Sequence, residues 1–207
     1  MDFIVLLSFL GAAILLTVMP GPDILFVIAQ SISQNAKAGI STALGLCTGL
    51  LVHISAAIIG ISAIIYSSAT IFTIVKFAGS IYLLYLAVCA FRAPTSAIRL
   101  GEKPAIAYSK LYKKGIIMNI LNPKVSIFFL ALLPQFVQGK EHVPAQMLVL
   151  GLIFLVQAFI IFSVVSLLSS SIGHWLAKNS FIANYLNKIE GSLYAIIGAS
   201  IAFSTNK

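Results

Sequence analysis

Charged side chains are scarce. Asp, Glu, Lys and Arg make up 9% of the 207 residues, where a soluble domain carries about 25%. Hydrophobic residues make up 60%, more apolar surface than a soluble core of this length can hide. The mean hydropathy of +1.06 agrees. This excludes an ordinary soluble domain and points to an integral membrane protein. Cysteine is nearly absent: Cys47 and Cys89 lie in apolar runs, with no metal spacing and no disulfide framework. Enzyme signatures are missing too, with no paired carboxylates, no His-Glu-x-x-His and no Gly-x-Ser-x-Gly. The chain is therefore expected to be no enzyme and to need neither metal nor cofactor. Its net charge of +8 does not point to nucleic acid, because no basic patch interleaved with aromatics appears. The basic residues follow the membrane instead.

Long uncharged runs are what the chain has in their place. Ala38 to Val75 is free of Asp, Glu, Lys and Arg, as is Val143 to Ala177. A helical span needs about 20 residues. The first run is nearly two spans and must reverse once, most naturally at Tyr66-Ser67-Ser68-Ala69-Thr70. The second is one long helix with a tail ending near His174. The reading is an all-α membrane protein of six transmembrane helices: Phe3–Ser31, Gly39–Tyr66, Ala69–Phe91, Lys114–Val137, Ala145–Ser171 and Tyr185–Phe203. No basic region follows Met1-Asp2-Phe3, so the first segment is expected to be kept as a span. Basic residues in short loops set the direction. Nine (Lys37, Arg92, Arg99, Lys103, Lys110, Lys113, Lys114, Lys178, Lys188) fall on one side, and two (Lys140, Lys207) on the other. The nine mark the cytoplasmic side, so both termini are expected outside. Tyr82, Tyr194 and Trp175 are expected as interface anchors.

Two features suggest an internal repeat. Lys76-x-x-Gly79-Ser80-x-Tyr82 opens the third span, and Lys188-x-x-Gly191-Ser192-x-Tyr194 the sixth. Gly21-Pro22-Asp23 in the first span has a counterpart in Asn122-Pro123-Lys124 in the fourth. Three spans followed by three give halves of opposite direction, the 3+3 inverted repeat of secondary transporters. The whole chain, 1–207, is then a single transmembrane domain: one repeat over about 1–92, a cytoplasmic loop over about 93–113, and a second repeat over about 114–207.

Proline breaks in spans one and four decide where the site is sought. Pro20, Pro22 and Pro123 remove backbone donors inside apolar runs. Freed backbone groups survive at that depth only against protein or a wet cavity. Asp23 opens one half-helix, where the dipole favours it; Lys124 opens the other, where the dipole does not. An anion is the simplest partner for Lys124. Two readings of the ions stand: they pair with each other, or Asp23 takes a substrate ammonium and Lys124 a substrate carboxylate. Gly21, Pro22, Asn122 and Pro123 complete the expected binding region. Ser41, Gly45, Gly49 and His53 recur every four residues and form one stripe, expected as a close helix contact. His53 is expected to face the interior, as a satisfied core histidine or a proton carrier. Asn119, Gln135 and Gln157 are candidates for a polar path, or for hydrogen bonds between helices.

Pro20-Gly21-Pro22, Asn122-Pro123-Lys124, the run ending Leu133-Pro134-Gln135-Phe136, and Lys76-x-x-Gly79-x-x-Tyr82-Leu83 together resemble the lysine-exporter / homoserine–threonine-exporter (LysE/RhtB) family. The resemblance covers nearly the whole chain in order and spacing. It implies export of amino acids or related metabolites from a bacterial cytoplasm across the inner membrane, driven by the proton gradient. Asp23 stands where many relatives carry an uncharged polar residue, so its role rests on this sequence alone. The expected partners are a small-molecule amino acid and the lipid bilayer, with no nucleic acid; a homo-oligomer is compatible with the sequence. Two rivals are a cation or metal exporter of the same fold, and a non-transporting partner subunit. The intramembrane residues offer no ligand cluster for the former.

Overall fold

The computed structural model describes residues 1–61, 69–92, 105–139, 141–177 and, near the C-terminus, 188, 192, 194–196, 198–199 and 201–203. Every regular element among these is helical. In chain order they are α1 (Phe3–Val18), α2 (Pro22–Ser33), α3 (Ala36–Ala56), α4 (Ala69–Arg92), α5 (Tyr108–Ile120), α6 (Pro123–Ile127) and α7 (Val143–Ala177). The chain widens into a π-helical turn after α3, over Ala57–Ile61, and another after α6, over Phe128–Leu132, which tightens into a 3-10 turn over Leu133–Phe136.

Ala36–Gly60 and Val143–Ser171 are each long and apolar enough to cross a membrane. Two broken spans join them if each bent pair counts as one: α1 with α2, bent by 56°, and α5 with Pro123–Phe136, bent by 47°. The expected breaks in the first and fourth spans are thus present at the prolines. The uncharged run from Val143 is a single helix of 35 residues, as its length required. α4 covers the third expected span, but its apolar part, Phe77–Arg92, is shorter than the helices long enough to cross a membrane. The expected turn at residues 66–68, the loop 93–104, Lys140, Lys178 and most of the second Lys-x-x-Gly-Ser-x-Tyr copy lie outside the described residues, as does the Trp175 side chain.

Contacts fix how the elements run. Along the two broken spans, partners descend on one as they ascend on the other. Asp2 and Gln138 exchange two hydrogen bonds, of 2.7 and 2.6 Å. Phe9 packs edge-on to Phe136, and Lys124 reaches Met19. Further along, Lys114 lies 4.4 Å from the Phe26 ring centre and Asn35 meets Tyr108. The broken spans are therefore antiparallel, with their breaks at one level. α3 runs parallel to α5: Ser41 donates to the Tyr108 carbonyl at 2.7 Å, and His53 meets the Asn119 carbonyl twelve residues further along. α7 runs parallel to the first broken span, through Gln157 with Thr17 and Ser166 with Ser31.

The Ser41-Gly45-Gly49-His53 stripe is the α3–α5 contact. Any side chain at Gly45 would meet the Tyr112 carbonyl, and one at Gly49 would stand 2.7 Å from the Ile116 carbonyl. Gly115 answers from α5, where a Cβ would lie 2.5 Å from the Thr42 carbonyl. Backbone lies on backbone here, the mode that packs helices where no hydrophobic drive exists between them. The same seam explains a correction. The fourth span was expected to begin at Lys114, but its helix begins at Tyr108. Lys110, Lys113 and Lys114 are exposed positions on α5, not loop residues, because the contact with α3 carries the helix beyond the apolar run. A second correction concerns Tyr194, expected at the interface but only 3% exposed and part of the core. Tyr82 is half-buried, its ring centre 5.9 Å from that of Tyr85.

Candidate functional site at the paired breaks

Backbone arithmetic explains the local structure. In a continuous helix the N–H of residue 123 would bond the carbonyl of Asn119; Pro123 has none to give. The Asn119 carbonyl is instead taken by the Asn122 N–H at 2.9 Å and by His53 Nε2 at 3.0 Å. Since a carbonyl only accepts, Nε2 carries the proton. His53, 9% exposed, thus caps the broken helix from α3.

The first span breaks by the same logic. Pro20 and Pro22 have no N–H, α1 ends at Val18, and the Met19 carbonyl is released from its helical partner. Lys124 Nζ donates to it at 3.0 Å. A lysine at a half-helix N-terminus needs a stabilising partner. The structure supplies the negative end of α1, where a cation is favoured. Gly21 lies directly beneath: a Cβ there would stand 3.2 Å from Nζ. Its backbone is extended (φ −156°, ψ 176°), a conformation open to any residue. Glycine here leaves room for the lysine and is not required by the conformation.

Asn122 ties the two breaks together. Its Nδ2 donates to Asp23 Oδ2 at 2.8 Å, while its Oδ1 accepts from the Lys124 backbone N–H at 3.0 Å and caps α6. Asp23 and Lys124 are each 8% exposed. Both line one cavity of about 30 Å³, room for roughly one water. Thr17, Met19 and Asn119 share its polar side, and Leu16, Ile24, Leu46, Cys47, Leu50, Val125, Phe154, Ala158 and Phe162 make the rest. Asp23 Oδ1 and Asn119 Oδ1 are buried with no hydrogen-bond partner among the described residues.

The other candidates separate. Gln157 reaches the site indirectly, donating to Thr17 Oγ1 at 2.9 Å and to its own helix at Phe154 O. Gln135 bonds the Ala131 carbonyl of its own segment, half-buried and away from the cavity. Pro22 and Pro123 are exposed, so their part is played by the backbone they interrupt. The Met19 carbonyl and the apolar wall of Phe154, Ala158 and Phe162 were not among the expected site residues. Among the described residues no group of His, Cys, Asp and Glu is arranged to hold a metal ion.

The chain is similar to known proteins over nearly all its length. A family model described as LysE type translocator matches residues 6–205. The homoserine/homoserine lactone efflux protein of Salmonella typhimurium is 30% identical over 195 residues, 94% of this chain and 94% of that protein. The leucine efflux protein of Salmonella choleraesuis is 26% identical over 197 residues, 94% and 93% of the two chains. The uncharacterized membrane protein YrhP of Bacillus subtilis is 29% identical, covering 96% and 99%. No solved structure matches.

Proposed function

The chain belongs to the LysE type translocator family, a family of transporters and not of enzymes, and on that footing we propose that it exports an amino acid or a closely related small zwitterion from the cytoplasm. The observation that carries the reading is the meeting of both helix breaks at one cavity, with a carboxylate and an ammonium on its wall. The cargo's ammonium sits at Asp23 Oδ1 and Asn119 Oδ1, two buried acceptors that want donors; an ammonium brings three. Its carboxylate sits by Lys124. The adjacent N-terminus of α2 has no side-chain cap, so its first N–H groups add positive potential on the same side. Binding then draws Lys124 from the Met19 carbonyl and loosens the bend between α1 and α2. The relatives named for homoserine and leucine efflux support this cargo class.

The two halves work as inverted repeats that rock about the site, within the bacterial inner membrane and with both termini outside. The antiparallel course of the broken spans supports this, as does the reciprocal packing, α3 beside the fourth span and α7 beside the first. Export draws on the proton gradient, with Asp23 as the group that exchanges a proton for cargo.

Efflux of radiolabelled amino acids from loaded proteoliposomes, at two external pH values, tests the reading. Wild-type protein releases at least one neutral amino acid, faster when the outside is acidic. Asp23→Asn and Lys124→Gln each lower that rate by about 10- to 100-fold, the effect of removing one charged hydrogen-bonding partner, while both remain monodisperse in detergent. Normal efflux by Asp23→Asn would remove the role assigned to that carboxylate.

A further inference from the structure

The polar corner of the cavity holds the part common to every amino acid; the rest of its lining faces the part that differs. We infer that this cargo is a neutral amino acid with a short aliphatic side chain, and that Ala158 sets how long that side chain is. The inference rests on the export reading above and adds its substrate class. Phe154, Ala158 and Phe162 are spaced four apart and share one face of α7, and all three line the cavity. Phe154 is fixed from behind, its ring centre 4.9 Å from that of Phe128 and 5.3 Å from that of Phe129. The wall therefore has two bulky residues and one notch, at Ala158, which is 2% exposed. Leu46 and Leu50 on α3 add to the apolar lining.

Size and charge both follow from this lining. The cavity, at about 30 Å³, must widen to accept any amino acid, and the notch is where a side chain needs the least displacement. Each further methylene presses on Phe154, which Phe128 and Phe129 hold in place. A basic side chain meets a second obstacle. Asp23 is the one carboxylate among the described residues lining the cavity, and it is engaged by the α-ammonium. A second cation would lie among leucines and phenylalanines without a counter-charge, which is strongly disfavoured.

Competition between cargoes tests this without relying on absolute rates. Proteoliposomes are loaded with equal leucine, alanine, phenylalanine and lysine, each separately labelled. Wild-type protein is expected to release leucine at least tenfold faster than lysine. Ala158→Leu fills the notch and lowers the leucine-to-alanine ratio by about tenfold or more, the discrimination that one or two methylenes carry in an apolar pocket. Ala158→Gly deepens the notch without any clash and raises the phenylalanine-to-leucine ratio, so the inference stays open to refutation if Ala158→Leu does not fold. Unchanged ratios in the variants, or lysine leaving as fast as leucine, overturn it. Release of none of the four by a wild-type protein that exports another amino acid overturns this inference alone; release of no amino acid at all overturns the export reading as well.

Discussion

Two contacts hold the second broken span, and they are built differently. Along α3 and α5 the helices meet backbone to backbone, through Gly45, Gly49 and Gly115, with no space for a methyl group. At the paired breaks the spans meet through one amide and one ammonium, around a cavity and two unsatisfied oxygens. The first contact is a fixed frame; the second is incomplete as it stands. Packed interiors move between discrete arrangements and do not deform smoothly, so motion and binding belong where packing is unfinished. Asn119 joins the two regions. Its Cβ lies 2.9 Å from where a Gly49 Cβ would stand, its carbonyl is held by His53, and its side chain lines the cavity. The seam thus fixes the depth and azimuth of the site.

The comparison breaks if the seam tolerates bulk. Gly45→Val places a branched side chain against the Tyr112 carbonyl, and neither backbone can yield without parting the helices. Overpacking of well-packed cores costs about 1–3 kcal/mol and sometimes more; this site belongs at or above the upper end. The expected outcome is loss of monodisperse protein in detergent, and a large fall in thermal midpoint for what remains. Lys124→Gln, at the other region, keeps its fold and exports about 10- to 100-fold more slowly. A Gly45→Val protein as stable as the parent would show that the seam is loose.

A smaller effect sharpens the same contrast. His53→Phe keeps the ring against Phe129, whose centre lies 6.1 Å away, but removes the donor to the Asn119 carbonyl. The Asn122 N–H still serves that carbonyl, so the expected loss is about 1 kcal/mol, read as a shift in detergent unfolding. His53→Gln retains an amide donor and recovers part of it. Because Asp23 is the proposed proton carrier, His53→Gln is expected to keep the wild-type dependence of efflux on external pH. A flattened profile would move the proton-carrying role from Asp23 to His53.

Much of this arrangement was legible in the sequence. The breaks followed from proline in apolar runs, and the seam from small residues every four positions. Asp23 and Lys124 stood out as charges within interrupted spans. In the fourth span the freed carbonyl was within reach of the same reasoning, since counting back four from Pro123 leads to Asn119; in the first span that count leads from Pro20 and Pro22 to Leu16 and Val18, and the Met19 carbonyl is opened by the end of α1 itself. What the sequence does not encode locally is which distant side chain arrives there. His53 and Lys124 are each one of several polar candidates until the spans are laid antiparallel. The wall at Ala158 was hidden for another reason. A Phe-x-x-x-Ala-x-x-x-Phe face in an apolar helix looks the same whether it meets lipid, a neighbouring helix or a cavity. Tyr194 failed although it stands midway along the expected sixth span, Tyr185–Phe203, where a core position is the natural one.

The smallest expected effect lies at the cytoplasmic end of the proposed topology, where neither seam nor site is touched. Ser166 Oγ donates to the Ala36 carbonyl at 2.8 Å and lies 2.9 Å from Ser31 Oγ, joining α2, α3 and α7. Ser31 also has the Val27 carbonyl at 2.7 Å, so its hydroxyl keeps a partner when Ser166 is lost. Hydrogen bonds between membrane helices average about 0.6 kcal/mol, and Ser166→Ala is expected to lose about that much. Unfolding in mixed micelles measures it, with efflux unaltered because Ser166 does not line the cavity. A loss approaching that of Gly45→Val would mean that the frame is held by this polar knot and not by glycine packing.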